Sequence, residues 1–195
     1  MELVSILESG EPAEKPCPLP QIARDICRQQ AEHYKRIGFS PPWTGYLAFE
    51  EQVCVGACGF KTLPANNKVE IAYFTFPEHQ GKGIATEMAQ HLILIAQSAL
   101  LGVTPTAQTL PEQSASTSIL RKLGFTNLGE VLHPEDGKVW NWELIQNREF
   151  DLSLIERTLA LSYEKRLLEH DGALTLVLEL QKQGEILRSQ ADKNA

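Results

Sequence analysis

The chain has 195 residues, enough for one domain with an extension and a substantial buried core. Apolar residues make up 43% and charged residues 22%, the ordinary balance of a soluble globular protein. A net charge of -7 lacks the basic footprint of a nucleic-acid-binding surface, and no nucleic-acid partner is expected. An acidic rim would suit a cationic amine, although an acidic balance also serves solubility alone.

The opening MELVSILESGEP has no basic segment followed by an apolar one, so no signal peptide is expected. No run reaches the about 18 apolar residues of a membrane helix, so no membrane partner is expected either. Cys17, Cys27, Cys54 and Cys58 match no zinc signature. Cys54 and Cys58 are expected on one strand face, too far apart to bridge. All four read as reduced thiols of a cytoplasmic protein without a metal site.

In chain order, residues 2–8 fit a short strand, closed by Gly10 and the stretch from Pro12 to Pro20. Leu19 to about Ile37 has helical spacing, with Gly38 as its stop. After Pro41-Pro42, Thr44–Glu50 and Gln52–Lys61 read as two strands with a tight connection at Glu50-Glu51. Leu63 to Asn67 is a turn, and Lys68 to Phe76 a third strand of the same meander. Gly83 to about Leu101 is the clearest helix, with Ala85, Met88, Ala89, Leu92, Ile93 and Ala96 on one face and Gly102 as terminator. Val103 to Leu110 is a strand that Pro105 is expected to bulge or delay. Gln113 to Leu123 is a second amphipathic helix, and Phe125 starts a strand. His133 to Gly137 is a hairpin turn, and Lys138 to Leu144 alternates as a strand whose two tryptophans share a packing face.

The stretch from Lys68 to Ile84, KVEIAYFTFPEHQGKGI, feeds a strand through a glycine-bearing turn directly into a helix. The first N–H groups of that helix lack internal acceptors and lie at the positive end of its dipole. Glycines allow a phosphate to approach the backbone, so the turn reads as a pyrophosphate cradle. A Walker A loop needs a glycine five positions before its Gly-Lys pair and Ser/Thr after it. Phe76 and Gly83 stand at those places. A dinucleotide fingerprint would need glycine at Thr86.

The pattern Gln80, Gly83, Ala85 after a strand resembles the acyl-CoA loop of the GNAT N-acetyltransferases. The segment SASTSILRKLGF, Ser114 to Phe125, resembles the Asn-x-x-Ser…Leu-x-Lys-Leu-Gly-Phe segment of their RimJ/RimL-like branch, acetyltransferases of ribosomal-protein N-termini. Ser116 falls on the family serine, and Lys122-Leu123-Gly124-Phe125 matches directly. Gln113 stands where the family has Asn, keeping an amide on a longer side chain. Pro134 to Gly137 followed by Val139-Trp140 is similar to that branch as well.

The resemblance implies an α/β (α+β) fold over residues 1–146, with a mixed, largely antiparallel sheet flanked by helices. It implies acetyl-CoA as co-substrate and direct transfer of the acetyl group to a primary amine, a protein N-terminus or a small molecule. The cofactor contacts it implies are backbone groups of Phe74, Thr75 and Phe76, the loop Gln80, Gly81, Lys82, Gly83, Ile84, Ala85 and Thr86, and the Gln113 amide. Acyl transfer to an amine needs a base for the amine and a proton or hydrogen bond for the departing thiolate. Glu70 falls at the family's base position; the alternative is a surface carboxylate paired with Lys68 or Lys61. Ser116 is the thiol-side candidate, and its alternative is helix capping, shared with Ser114 and Ser118. The tyrosine many relatives use as acid is replaced by Leu120. Tyr73 and Tyr46 lie in strands with no orientation readable from sequence, and His79 is expected to face solvent. A non-catalytic acyl-CoA-binding sensor is the alternative function.

Residues 147–195 lie beyond the resemblance. They are expected to form a helical extension that packs on the core, covers the acceptor side, or joins two copies as a homodimer.

Overall fold

The computed structural model describes residues 1–14, 18–134 and 137–145. Cys17, the tip of the 133–137 hairpin and the expected C-terminal extension fall outside the described residues.

The elements follow as β1 (Glu2–Ser5), α1 (Gln21–Ile37), β2 (Gly45–Glu50), β3 (Val53–Phe60) and β4 (Lys68–Thr75). A single 3-10 turn (Pro77–His79) leads to α2 (Ile84–Ala99), β5 (Thr104–Thr109), α3 (Ala115–Lys122), β6 (Thr126–His133) and β7 (Gly137–Glu143). The strands form one seven-stranded sheet in the order β1-β2-β3-β4-β5-β7-β6. Every neighbouring pair is antiparallel except β4 and β5. This is the mixed α/β sheet expected from the sequence.

Tight hairpins explain the meander. Glu51 and Gln52 (φ 45° and 69°), like Asn66 and Asn67 (φ 51° and 58°), put two left-handed residues at each tip. That backbone matches the twist of the strands it joins. Ala65 and Lys68 close the second tip by exchanging both backbone hydrogen bonds at 2.9 Å.

Both faces of the sheet are covered at β2, so that strand is buried almost throughout instead of alternating with polar residues. On one face Tyr46, Ala48, Val55, Phe60, Val69 and Ile71 meet Ile84, Met88, Ala89, Leu92 and Ala96 of α2. On the other, Leu47, Phe49, Ala57 and Phe76 meet Ala23, Cys27 and Tyr34 of α1. The Tyr34 hydroxyl is satisfied there, donating to Ile6 O at 3.0 Å and accepting from Gly45 N at 2.8 Å.

Cys54 and Cys58 do not share a face, contrary to the alternation expected. Ala48 pairs with Gly56 and Phe49 with Cys54, leaving Val55 as the extra residue of a bulge. Cys54 therefore packs on the α1 side and Cys58 on the α2 side. Pro105 causes no bulge. The register Lys68–Thr104, Val69–Pro105, Glu70–Thr106 runs unbroken, and Pro105 O accepts from Leu144 N at 2.9 Å.

The feature that positions the site is where this parallel pairing stops. Beyond Glu70 and Thr106, β5 continues against β7 alone, and β4 runs on from Ile71 to Thr75 without a neighbour on that side. At the base of the opening Lys68 forms an ion pair with Glu143, whose side chain is only 11% exposed.

Candidate functional site

Hydrogen bonding to β3 decides which β4 groups face the opening. Lys61 N donates to Glu70 O at 2.9 Å and Phe76 N to Val55 O at 3.0 Å. Ladder alternation then turns the N–H and C=O of Tyr73 and Thr75 toward the side that β5 has left. This corrects the expectation for Phe74, whose backbone groups belong to the β3 ladder, and for Phe76, whose N–H joins that ladder and whose C=O accepts from His79 N at 2.9 Å. Phe76 itself is buried in the α1-side core.

The chain after β4 makes the floor of a groove. Gln80 Nε2 lies 3.5 Å from Thr75 O, tying the turn back to the strand. Gly81 and Gly83 have φ of +78° and +85°, a backbone conformation that L side chains rarely adopt, and a Cβ at either would meet nothing within 4 Å. Gly83 caps α2 without any side-chain hydrogen bond. Thr86 N and Glu87 N both donate to Gly83 O, at 3.0 and 3.2 Å. Among the described residues, the N–H groups from Gly81 to Ala85 have no backbone acceptor. They lie at the positive end of the α2 dipole, with open space beside Gly81 and Gly83, the arrangement that binds anions.

A groove of about 430–460 Å³ lies on each side of β4. The first brings together Phe74, Thr75, Gln80, Gly81, Gly83, Ile84, Ala85 and Thr86 with Ser116 of α3. Thr75 is buried on its wall with Oγ1 lacking a partner. His79, expected in solvent, is half-buried and lines the same groove. Besides Glu70 and Phe76, two expected residues stand outside it. Lys82 points to a neighbouring surface shared with Lys122. Gln113 is exposed, and its Oε1 accepts from Arg121 Nη1 at 2.6 Å.

The structure also separates the three helix serines. Ser114 caps α3: its Oγ accepts from Thr117 N at 3.3 Å, and its N–H donates to Thr117 Oγ1 at 2.9 Å. Ser116 is thereby relieved of capping and lines the groove. Beside it stands Tyr73, whose hydroxyl donates to Ser116 O at 3.4 Å. Burial pushes the Tyr73 phenol up to about 12, against a smaller lowering by Ser116, so it holds its proton at neutral pH. The sequence left Tyr73 unoriented; nothing short of the strand parity and the placement of α3 could have found it. Tyr46, the other tyrosine considered, is engaged elsewhere, donating to Pro42 O at 2.6 Å.

The second groove lies between α1 and the β3–β4 hairpin, lined by Gln29, His33 and Arg36 opposite Lys61, Ala72 and Phe74. Glu70 sits on the same strand face as Ala72 and Phe74, with its carboxylate 2.9 Å from Lys61 Nζ and 20% exposed. Lys68, the other partner considered for it, is taken by Glu143. The two grooves meet at Tyr73 and Phe74. Cys58 lies on the same wall, but burial pushes its thiol far up, which makes it a poor nucleophile. The arrangement offers one compartment for an anionic, extended donor and another for an acceptor. They join where β4 presents backbone donors.

Comparison with known proteins agrees with this geometry. A family model described as an acetyltransferase (GNAT) domain matches residues 12–126. An uncharacterized N-acetyltransferase p20 of Bacillus licheniformis is 32% identical over 90 residues, 46% of this chain and 51% of that protein. The chain thus spans about half the length of this curated relative. Among solved structures, a spermidine N-acetyltransferase chimera from Vibrio cholerae and hSSAT superposes with a TM-score of 0.51. It is 15% identical, over 64% of this chain and 82% of that one. A probable acetyltransferase gives 0.51 at 19% identity, over 62% and 70%. At these identities the two structures speak to the fold alone. With more than half of its length matched by the family model, the chain belongs to the GNAT acetyltransferase family.

Proposed function

We propose that this protein transfers an acetyl group from acetyl-CoA directly to a primary amine. The observation that carries the reading is the meeting of two grooves at Tyr73 and Phe74, where β4 parts from β5. The residues present fit a CoA thioester. Unpaired amides from Gly81 to Ala85 would hold its pyrophosphate, and the β4-edge groups of Tyr73 and Thr75 its pantetheine arm and carbonyl. Acetyl-CoA supplies an activated acyl group with a thiolate as leaving group.

The chain's own groups then divide the proton work. Glu70 takes a proton from the acceptor amine, and Lys61 holds its carboxylate in place. Tyr73, protonated and in contact with Ser116, stands ready to give a proton on the thiol side. It occupies the role for which Leu120, fully buried in the core, offers no group. The match of Lys122-Leu123-Gly124-Phe125 at the end of α3 supports the RimJ/RimL-like branch, whose acceptors include protein N-termini.

The Glu70–Lys61 pair also favours a second reading, an acyl-CoA sensor in which Glu70 only ties β4 to the end of β3. Amine-dependent release of the CoA thiol separates the two. Release that depends on both acetyl-CoA and an amine supports the enzyme; CoA binding without release supports the sensor.

A further inference from the structure

We infer that the acceptor amine carries a carboxylate, and that Arg36 binds it. The inference rests on the acetyl-transfer reading and names the substrate class of its second groove. The overall charge of -7 points toward a cationic acceptor, but the lining of that groove points the other way. Its charged groups are Arg36 from α1 and Lys61 at the end of β3, with His33 between them on the wall and Glu70 outside the lining, paired to Lys61. Lys61 and Glu70 neutralise each other at 2.9 Å. Arg36 makes no ion pair with a carboxylate among the described residues, so its charge is open to a ligand.

Arg36 is exposed at the end of α1, with its head group beside the His33 ring. His33 Nε2 lies 2.8 Å from Lys61 O, and a carbonyl can only accept, so Nε2 carries the ring proton. Nδ1 of that tautomer is free to accept, and Arg36 Nη2 lies 3.4 Å from it. The chain Lys61–His33–Arg36 sets one edge of the guanidinium beside the groove wall and leaves the rest of its N–H fork for a ligand. A basic residue in the last turn of α1 would complement the helix dipole wherever it pointed. The dipole does not account for the histidine that orients it. The anion to be bound is not the CoA pyrophosphate, because the glycine cradle lines the other groove. A planar carboxylate is the group that a guanidinium fork fits best. A cavity of about 430 Å³ suits an amino acid or the first residues of an acidic peptide.

The test measures initial rates of CoA thiol release with matched acceptors. They are β-alanine against β-alaninamide, the peptide Ser-Asp-Ala amide against Ser-Asn-Ala amide, and spermidine as a cationic control. The expected result is that an acid exceeds its amide by about tenfold or more in kcat/KM, with spermidine slowest. Arg36→Gln should bring the acid-to-amide ratio toward one, and Arg36→Glu should reverse it. A preference confined to β-alanine identifies a free amino acid as the source; one confined to the peptide pair identifies an acidic N-terminus. Equal use of acids and amides, or preference for spermidine, overturns the inference. Thermal melting with acetyl-CoA in the same preparation separates this failure from that of the parent reading. A shift with unselective turnover sinks only the carboxylate assignment; neither shift nor turnover sinks both. If acetyl-CoA binds and no amine is turned over, calorimetric titration of the same pairs into the CoA-loaded protein must show the acid preference, or the inference fails.

Discussion

Replacing Gly83 with glutamate, and Gly102 with glutamate as its control, separates the cradle from the backbone that builds it. The two glycines have nearly the same φ, +85° and +82°, and a Cβ on either meets nothing within 4 Å. Each substitution therefore forces a side chain into left-handed backbone at roughly 1–2 kcal/mol, without a steric clash. In a chain of this length each kcal/mol lowers the melting midpoint by about 2–4 °C. A carboxylate at the N-terminus of α2 gains about 0.3–1 kcal/mol from the helix dipole, so Gly83→Glu should melt no lower than Gly102→Glu. Only at Gly83 does the new charge stand where the pyrophosphate would lie. Two like charges at 4 Å repel by about 1 kcal/mol in water and about 4 kcal/mol at an effective dielectric of 20. Acetyl-CoA affinity should thus fall by roughly 5- to 1000-fold in Gly83→Glu and by less than about 2-fold in Gly102→Glu. Calorimetric titration of both variants reads this directly. Equal affinities would refute the cradle, whatever the stability data show.

Three further substitutions probe the remaining parts of the account. Glu70→Gln should cut kcat by roughly 100-fold or more while acetyl-CoA affinity holds; unchanged turnover would make Glu70 a structural partner of Lys61. Tyr73→Phe should lower kcat by roughly 10- to 100-fold at unchanged acetyl-CoA affinity. Because burial raises the wild-type phenol to about 12, its protonated form persists upward in pH, and the wild-type rate should show no alkaline fall from this group below about pH 10. A kcat equal to wild type in Tyr73→Phe would return the thiol-side role to Ser116 alone. Lys68→Met should destabilise the fold by about 1–3 kcal/mol, because it leaves the nearly buried Glu143 carboxylate without its cation. Adding Glu143→Gln should recover most of that loss; a melting curve for the double variant no better than the single one would contradict the pairing.

Local signals carried the fold far. The Asn66-Asn67 tip, the amphipathic faces of α1 and α2 and the strand–glycine–helix passage at Gly83 each depend on neighbours in sequence, and each stands where the pattern placed it. Features that depend on pairing were not legible. The bulge at Val55 arises only when β3 is laid against β2, so simple alternation put Cys54 and Cys58 on one face. The departure of β5 after Thr106 selects Tyr73 and Thr75, in place of Phe74 and Phe76, as donors to the opening, and the chain alone does not encode where a parallel pair ends. Ser114, Ser116 and Ser118 were equivalent as caps until the box with Thr117 singled out Ser114. Gln113 keeps an amide where the family has Asn, but in the fold that amide is engaged by Arg121.

The central claim is that the groove between β4 and α2 binds acetyl-CoA, and thermal melting tests it most directly. A ligand that binds only the folded state, present at 100 times its dissociation constant, adds about 2.7 kcal/mol. Acetyl-CoA should therefore raise the midpoint by roughly 5–11 °C, while ATP and NAD at the same concentration leave it in place. No shift with acetyl-CoA, or an equal shift with ATP, would contradict the account.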